Sequence, residues 1–127
     1  MAKWVHPDVL DGGLNAIKNG ATKEMVIKNY VAGDSYATVT GNALAIVTVT
    51  SADFTITSSG SNRTITAAAK SATATAPAAG TGENHHVAFT DGSAKVLWVT
   101  DETNELPNNV GDTLNIPAVP YTANQPT

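Results

Sequence analysis

The residues of this chain with the chemistry to act on a ligand are an imidazole pair, His85-His86, and four carboxylates at Asp91, Asp101, Glu102 and Glu105. Adjacent histidines invite a metal reading. Neighbouring strand residues point to opposite faces, however, so the pair cannot ligate one ion without a bulge, and no third ligand stands nearby. A solvated junction between loop and strand is the better expectation. Asp91 precedes Gly92 in a turn setting, and the other three acids fall in a polar stretch. Acid and base work would need a pocket that shifts their pKa values, and no spacing indicates one. The chain has no serine in a Gly-x-Ser-x-Gly setting, no glycine-rich phosphate loop opening a helix, and no cysteine. Neither catalysis nor a metal or other cofactor is therefore expected. Asn62-Arg63-Thr64 matches a glycosylation acceptor triplet, which is read as accidental because no secretory signal accompanies it.

The elements that position these residues follow from composition. The 127 residues suit one domain. Charged residues make up 14% and the net charge is −4, with a single Arg, so there is no basic patch to neutralise phosphates and nucleic acid is not an expected partner. Twenty Ala and 18 Thr, against 6% aromatics, describe a core of small side chains and strands that are pleated and partly buried. No run reaches the roughly 18 apolar residues of a membrane span. Pro7 and Asp8 interrupt the N-terminus where a signal peptide would place its apolar core, so the expectation is a soluble protein made in a cytoplasm.

Residues 1–22 read as an arm and 23–127 as a single β domain. In the arm, Asp11 can cap a short helix through Asn15 to Lys18, with Asn19-Gly20 as the stop and Gly12-Gly13 weakening it. His6-Pro7 favours extended backbone at His6, placing Trp4 and Val5 on an irregular stretch. So short a piece cannot bury Trp4, Val5, Val9, Leu10, Leu14 and Ile17 against itself; they need the body or a partner to cover them, and contact with a partner or a second copy is the expectation. For Trp4, insertion into a partner pocket is preferred over folding back. Residues 1–30 carry four Lys against three acids, a net of +1, while the remainder carries −5, as suits an arm that docks elsewhere.

From Glu24 onward, short alternating runs separated by turn residues predict an all-β fold, an antiparallel β-sandwich or jelly-roll-like domain. Met25 to Ile27 with Tyr30-Val31 make the first run; Tyr36 to Thr40 and Ala43 to Thr50 follow. The change of phase between Leu44, Ile46 and Val47, Val49 implies a bulge or burial on both faces. Phe54 to Thr57 and Ile65 to Ala69 form a hairpin with a loop of about five residues. Ala72, Ala74 and Ala76, alternating with Thr, make a strand poor in large side chains, expected at an edge or at a contact with a partner. Residues 78–82 read as a flexible loop. His85 to Phe89 and Lys95 to Thr100 flank Asp91-Gly92 as a tight hairpin, and Val96 to Val99, apolar throughout, reads as a central strand with Trp98 in the core. After a polar loop at 101–109, Leu114 and Ile116 point inward, and Pro117 and Pro120 confine the last extended stretch to an edge.

The stretch from Met1-Ala2-Lys3-Trp4-Val5-His6-Pro7-Asp8 to Val9-Leu10-Asp11-Gly12-Gly13-Leu14, with His86-Val87-Ala88-Phe89-Thr90-Asp91-Gly92-Ser93 and Leu97-Trp98-Val99-Thr100-Asp101, resembles a group of small tailed-bacteriophage virion proteins over most of the chain. The resemblance implies a β-sandwich or jelly-roll-like protein that decorates or cements a capsid. Its expected partners are the major capsid protein and a second or third copy of itself, on the surface of the virion, after synthesis in the host bacterial cytoplasm. A tail or fibre component that binds a carbohydrate or receptor is the alternative.

Overall fold

The computed structural model describes residues 2–78, 85–101, 107 and 109–127. The fold is all-β, antiparallel and sandwich-like, with short helical pieces. Its elements in chain order are α1 (Pro7–Gly20), β1 (Lys23–Ile27), α2 (Tyr36–Gly41), β2 (Ala43–Thr48), β3 (Phe54–Ser59), β4 (Asn62–Ala67), β5 (Lys70–Thr73), β6 (His86–Thr90), β7 (Val96–Asp101), β8 (Thr113–Ile116) and β9 (Val119–Ala123). One sheet has the order β2-β1-β6-β7, a second the order β3-β4-β9, and β5 pairs with β8. Between the first two sheets lies the main core, where Phe54 of β3 meets Phe89 of β6 edge to face with ring centroids 5.7 Å apart.

The β2-β1-β6-β7 sheet is buried on both sides of its centre. Val26, Val87 and Phe89 belong to the main core, whereas Met25, Ile27 and Ala88 form a second, smaller cluster with Val39 of α2. That arrangement explains the near-continuous apolar sequence of β1, since a strand covered on both faces has no reason to alternate. Of the two causes anticipated for the phase change in β2, the bulge is present: the β1–β2 register shifts between Val26 and Ile27, and Leu44 and Ala45 both enter the main core while Ile46 is exposed.

Several elements depart from the sequence expectation. The helix begins at Pro7, not Asp11: proline suits the first helical turn, the His6 side chain accepts from the Asp8 amide at 3.1 Å, and Asp8 complements the helix dipole. Gly12-Gly13 is tolerated because Leu14 and Ile17, 1% and 4% exposed, anchor this helix in the main core. Residues 36–40 are helical and not a strand, because the Ser35 hydroxyl caps the Thr38 amide at 3.2 Å and Val39 is drawn into the second cluster. Tyr30-Val31 lies outside β1, and Val31 is exposed. The β3–β4 hairpin closes through two residues, Gly60-Ser61, as Ser59 pairs with Asn62 and Gly60 takes φ +62°.

Further findings concern the sheets. β7 lies at the edge of its sheet and not at the centre, and Trp98 is half-buried, stacked on Phe89 at 4.7 Å and 12°. Its apolar outer residues are partly covered by neighbours, as when Leu97 packs near Gly20 of α1. β5 pairs with β8 alone and so has the edge place expected, but the chain beyond it is covered and not open: Ala74 bridges Ala45 of β2, and the Thr75 amide donates to the Leu44 carbonyl at 2.7 Å. Small Ala side chains at 72 and 74 are what allow this close seam, and both are buried. As expected, Leu114 and Ile116 face inward, and β9, with Pro120, is an edge strand. The loops expected at 78–82 and 101–109 fall largely outside the described residues, as do Glu102 and Glu105.

Candidate assembly surface

Both termini meet beside the β3–β4 turn. Gln125 donates through Nε2 to the Val5 carbonyl at 2.9 Å and to the Ser61 carbonyl at 3.2 Å, while its Oε1 accepts from the Val5 amide at 2.9 Å. Its own amide donates to Asn62 Oδ1 at 2.8 Å. Lys3 Nζ donates to the Thr127 carbonyl at 2.8 Å. Residues 2–6 are thus an irregular arm, but one held by the C-terminal tail on either side of Trp4.

Between those two anchors the Trp4 indole projects into solvent. It is 63% exposed, and its ring meets His6 edge-on with centroids 5.8 Å apart. A large aromatic left in water by its own chain forgoes burial worth about 2–3 kcal/mol, a gain that another surface could supply. Holding the backbone on both sides lowers the ordering cost of such a contact. Val9, in the first turn of α1, is 64% exposed, and Val5 and Leu10 are half-buried.

The helix that follows is oriented by Arg63 of β4. Its Nε and Nη2 donate to the two carboxylate oxygens of Asp11 at 2.8 and 3.2 Å, and its Nη1 donates to Ser58 Oγ at 2.7 Å. The Asp11 carboxylate raises the Arg63 pKa still further above its ordinary value. This fork-to-carboxylate geometry fixes the helix against the hairpin whose turn also carries Gln125.

The expected contact residues therefore divide. Trp4 and Val9 are exposed, Val5 and Leu10 partly so, and Ala76 is half-buried. Leu14, Ile17, Ala72 and Ala74 are covered by the chain's own sheets and offer nothing to a partner, because packing onto the body satisfies them. Sequence reasoning missed Tyr121, 46% exposed at the end of an aromatic series that runs Phe54, Phe89, Trp98, Tyr121, the last two with centroids 5.9 Å apart. Its pairing with Ile65 across β4–β9 produces this placement, and no local pattern reveals it. Glu24, the second residue of β1, is also fully buried, and nothing in its sequence neighbourhood distinguishes it from a surface acid.

Of the residues first considered for chemistry, Glu102 and Glu105 lie outside the described residues, and His86 and Asp101 come together. His86 Nε2 lies 3.3 Å from Asp101 Oδ1, and its ring packs on Tyr30 with centroids 5.1 Å apart. Among the described residues no three His, Asp or Glu side chains group together as metal ligands. Asp91 organises a five-residue loop instead of a tight turn. Its Oδ1 accepts from the amides of Ser93, Ala94 and Lys95 at 2.9, 2.8 and 2.9 Å. These donors, that of Ala94 foremost, hold its pKa down to about 2. No helix among the described residues is long and apolar enough to cross a membrane. No family model, curated protein or solved structure matches this chain.

Proposed function

We propose that this chain is a bacteriophage capsid decoration protein, which binds the major capsid protein shell and strengthens it without catalysing a reaction. The observation that carries the reading is Trp4, an exposed indole held between the anchored residues Lys3 and Val5. An exposed aromatic on a fixed backbone suits a permanent docking contact, because aromatic anchors dominate interface energetics when a partner desolvates them. The sequence resemblance to small virion proteins supports the same reading, as does the way α1, Arg63 and the C-terminal tail all brace the region that presents the arm. Self-association as a dimer or trimer would add contacts that bridge neighbouring capsid subunits.

Quantitative mass spectrometry of purified virions tests the proposal. Decoration predicts hundreds of copies relative to the major capsid protein. Particles lacking the protein should break at a lower temperature or a milder osmotic shock. A few to a few dozen copies would point to the tail or a fibre, and absence from the particle would overturn the virion reading.

A further inference from the structure

A cleft of about 410 Å3 lies between the segment that follows β1 and the β6–β7 loop. Tyr30, Asp34 and Tyr36 line one side, Lys95 the other, and Val96 and Leu97 of β7 complete the lining. We propose that this cleft binds a neutral saccharide. The Tyr36 phenol of the lining supplies an apolar face of the kind on which the C–H side of a pyranose stacks, and Tyr30 stands beside it. The Asp34 carboxylate accepts and the Lys95 ammonium donates, which matches the mixed character of sugar hydroxyls. Their opposite charges cancel, so the cleft has no reason to prefer an ionic ligand. Its volume falls within the roughly 300–1,000 Å3 of small-molecule sites.

The lining is also held in place before any ligand arrives. Asp34 Oδ2 accepts from the Val31 amide at 2.9 Å, leaving the other carboxylate oxygen for a ligand. The Tyr30 ring rests on His86, and it packs against the cluster of Met25, Ile27, Val39 and Ala88. The Lys95 backbone is secured by its bond to the Asp91 carboxylate and by the return bond from the Asp91 amide at 3.1 Å. Fixed walls lower the ordering cost that weak sugar sites otherwise carry. The proposal does not depend on whether the protein sits on the shell or the tail.

Saturation-transfer NMR with the intact protein tests it, using lactose, maltose and cellobiose as neutral probes and glucuronate and glucosamine as charged ones. The expected result is transfer to at least one neutral disaccharide with millimolar affinity, weakened about tenfold or more in both Tyr36→Ala and Lys95→Ala. Tyr36→Phe, which keeps the stacking face, should retain most of the binding. Thr57→Ala, on exposed β3, should leave it unchanged. Lys95 is exposed, so its variant reports on the cleft even if Tyr36→Ala fails to fold. The proposal is overturned by absence of transfer to all of the neutral probes, by binding of charged probes alone, or by binding that survives both alanine variants.

Discussion

Gln125 and Val5, 120 residues apart in sequence, exchange a reciprocal pair of hydrogen bonds, each 2.9 Å long. Side-chain amide and backbone peptide pair as two strands would, so the tail supplies the arm with the backbone partners that an irregular segment lacks. Replacing Gln125 with Ala should cost about 1 kcal/mol of stability and speed hydrogen exchange at the Val5 amide. Unchanged protection at Val5 would show that the clamp does not hold the arm in solution.

Trp4→Ala separates assembly from folding. Since the indole is 63% exposed, the isolated protein should unfold within about 0.5 kcal/mol of the parent. Binding to shells stripped of the protein should weaken by about 2 kcal/mol or more, the loss expected of an anchor residue. Equal binding by parent and variant would remove Trp4 from the interface.

Arg63 and Asp11 should be strongly coupled. Asp11→Asn and Arg63→Ala each lower the melting temperature, and the double variant should lose less than the two losses added together. Arg63→Lys should not restore stability, because an ammonium cannot engage both carboxylate oxygens and Ser58 in the same fork. Full rescue by lysine would reduce the contact to simple charge attraction.

The Asp91 loop predicts acid sensitivity with a definite sign. Its folded pKa, about 2, lies below the ordinary 3.8, so the carboxylate contributes stability that is fully present above pH 3.8 and disappears as the pH falls toward 2. Asp53, held low first by its hydrogen bond from Lys70, acts in the same direction. Thermal melts between pH 5 and pH 2, compared for the parent and Asp91→Asn, should show a shallower decline in the variant. Parallel curves would place the acid sensitivity elsewhere.

A side chain at Gly92 would be strained. Gly92 adopts φ +81°, and a β-carbon there would stand 2.5 Å from Thr22 Oγ1. Gly92→Ala should lower stability by about 1–3 kcal/mol in a denaturant titration, combining backbone strain with displacement of Thr22. Gly12→Ala, on an open helical surface, should stabilise by about 0.5–1 kcal/mol. If both variants behaved alike, the strain at Gly92 would be disproved.

Much was decided by the residues themselves. Alternation in Phe54 to Thr57, Leu114 to Ile116 and around Asp91-Gly92 marks antiparallel strands, and proline at 117 and 120 excludes a central place for the last one, because these are local steric and hydrogen-bonding constraints. That Asp91-Gly92 reverses the chain was likewise readable from neighbouring residues, although the five-residue loop that Asp91 organises was not. Other features required the tertiary structure. Tyr36 to Thr40 alternates well enough for a strand, yet becomes helix because Met25, Ile27 and Ala88 need a cover and Val39 supplies it. Val96 to Val99 looks central but lies at an edge, since apolar composition reports burial and not strand order. Leu14, Ile17, Ala72 and Ala74 are apolar residues in weak local elements, and the sequence could not say whether the chain or a partner would cover them. The sheets reached them first. The bonds of Gln125 to Val5 and of Arg63 to Asp11 span 120 and 52 residues, and contacts so distant leave no periodic trace in the chain that forms them.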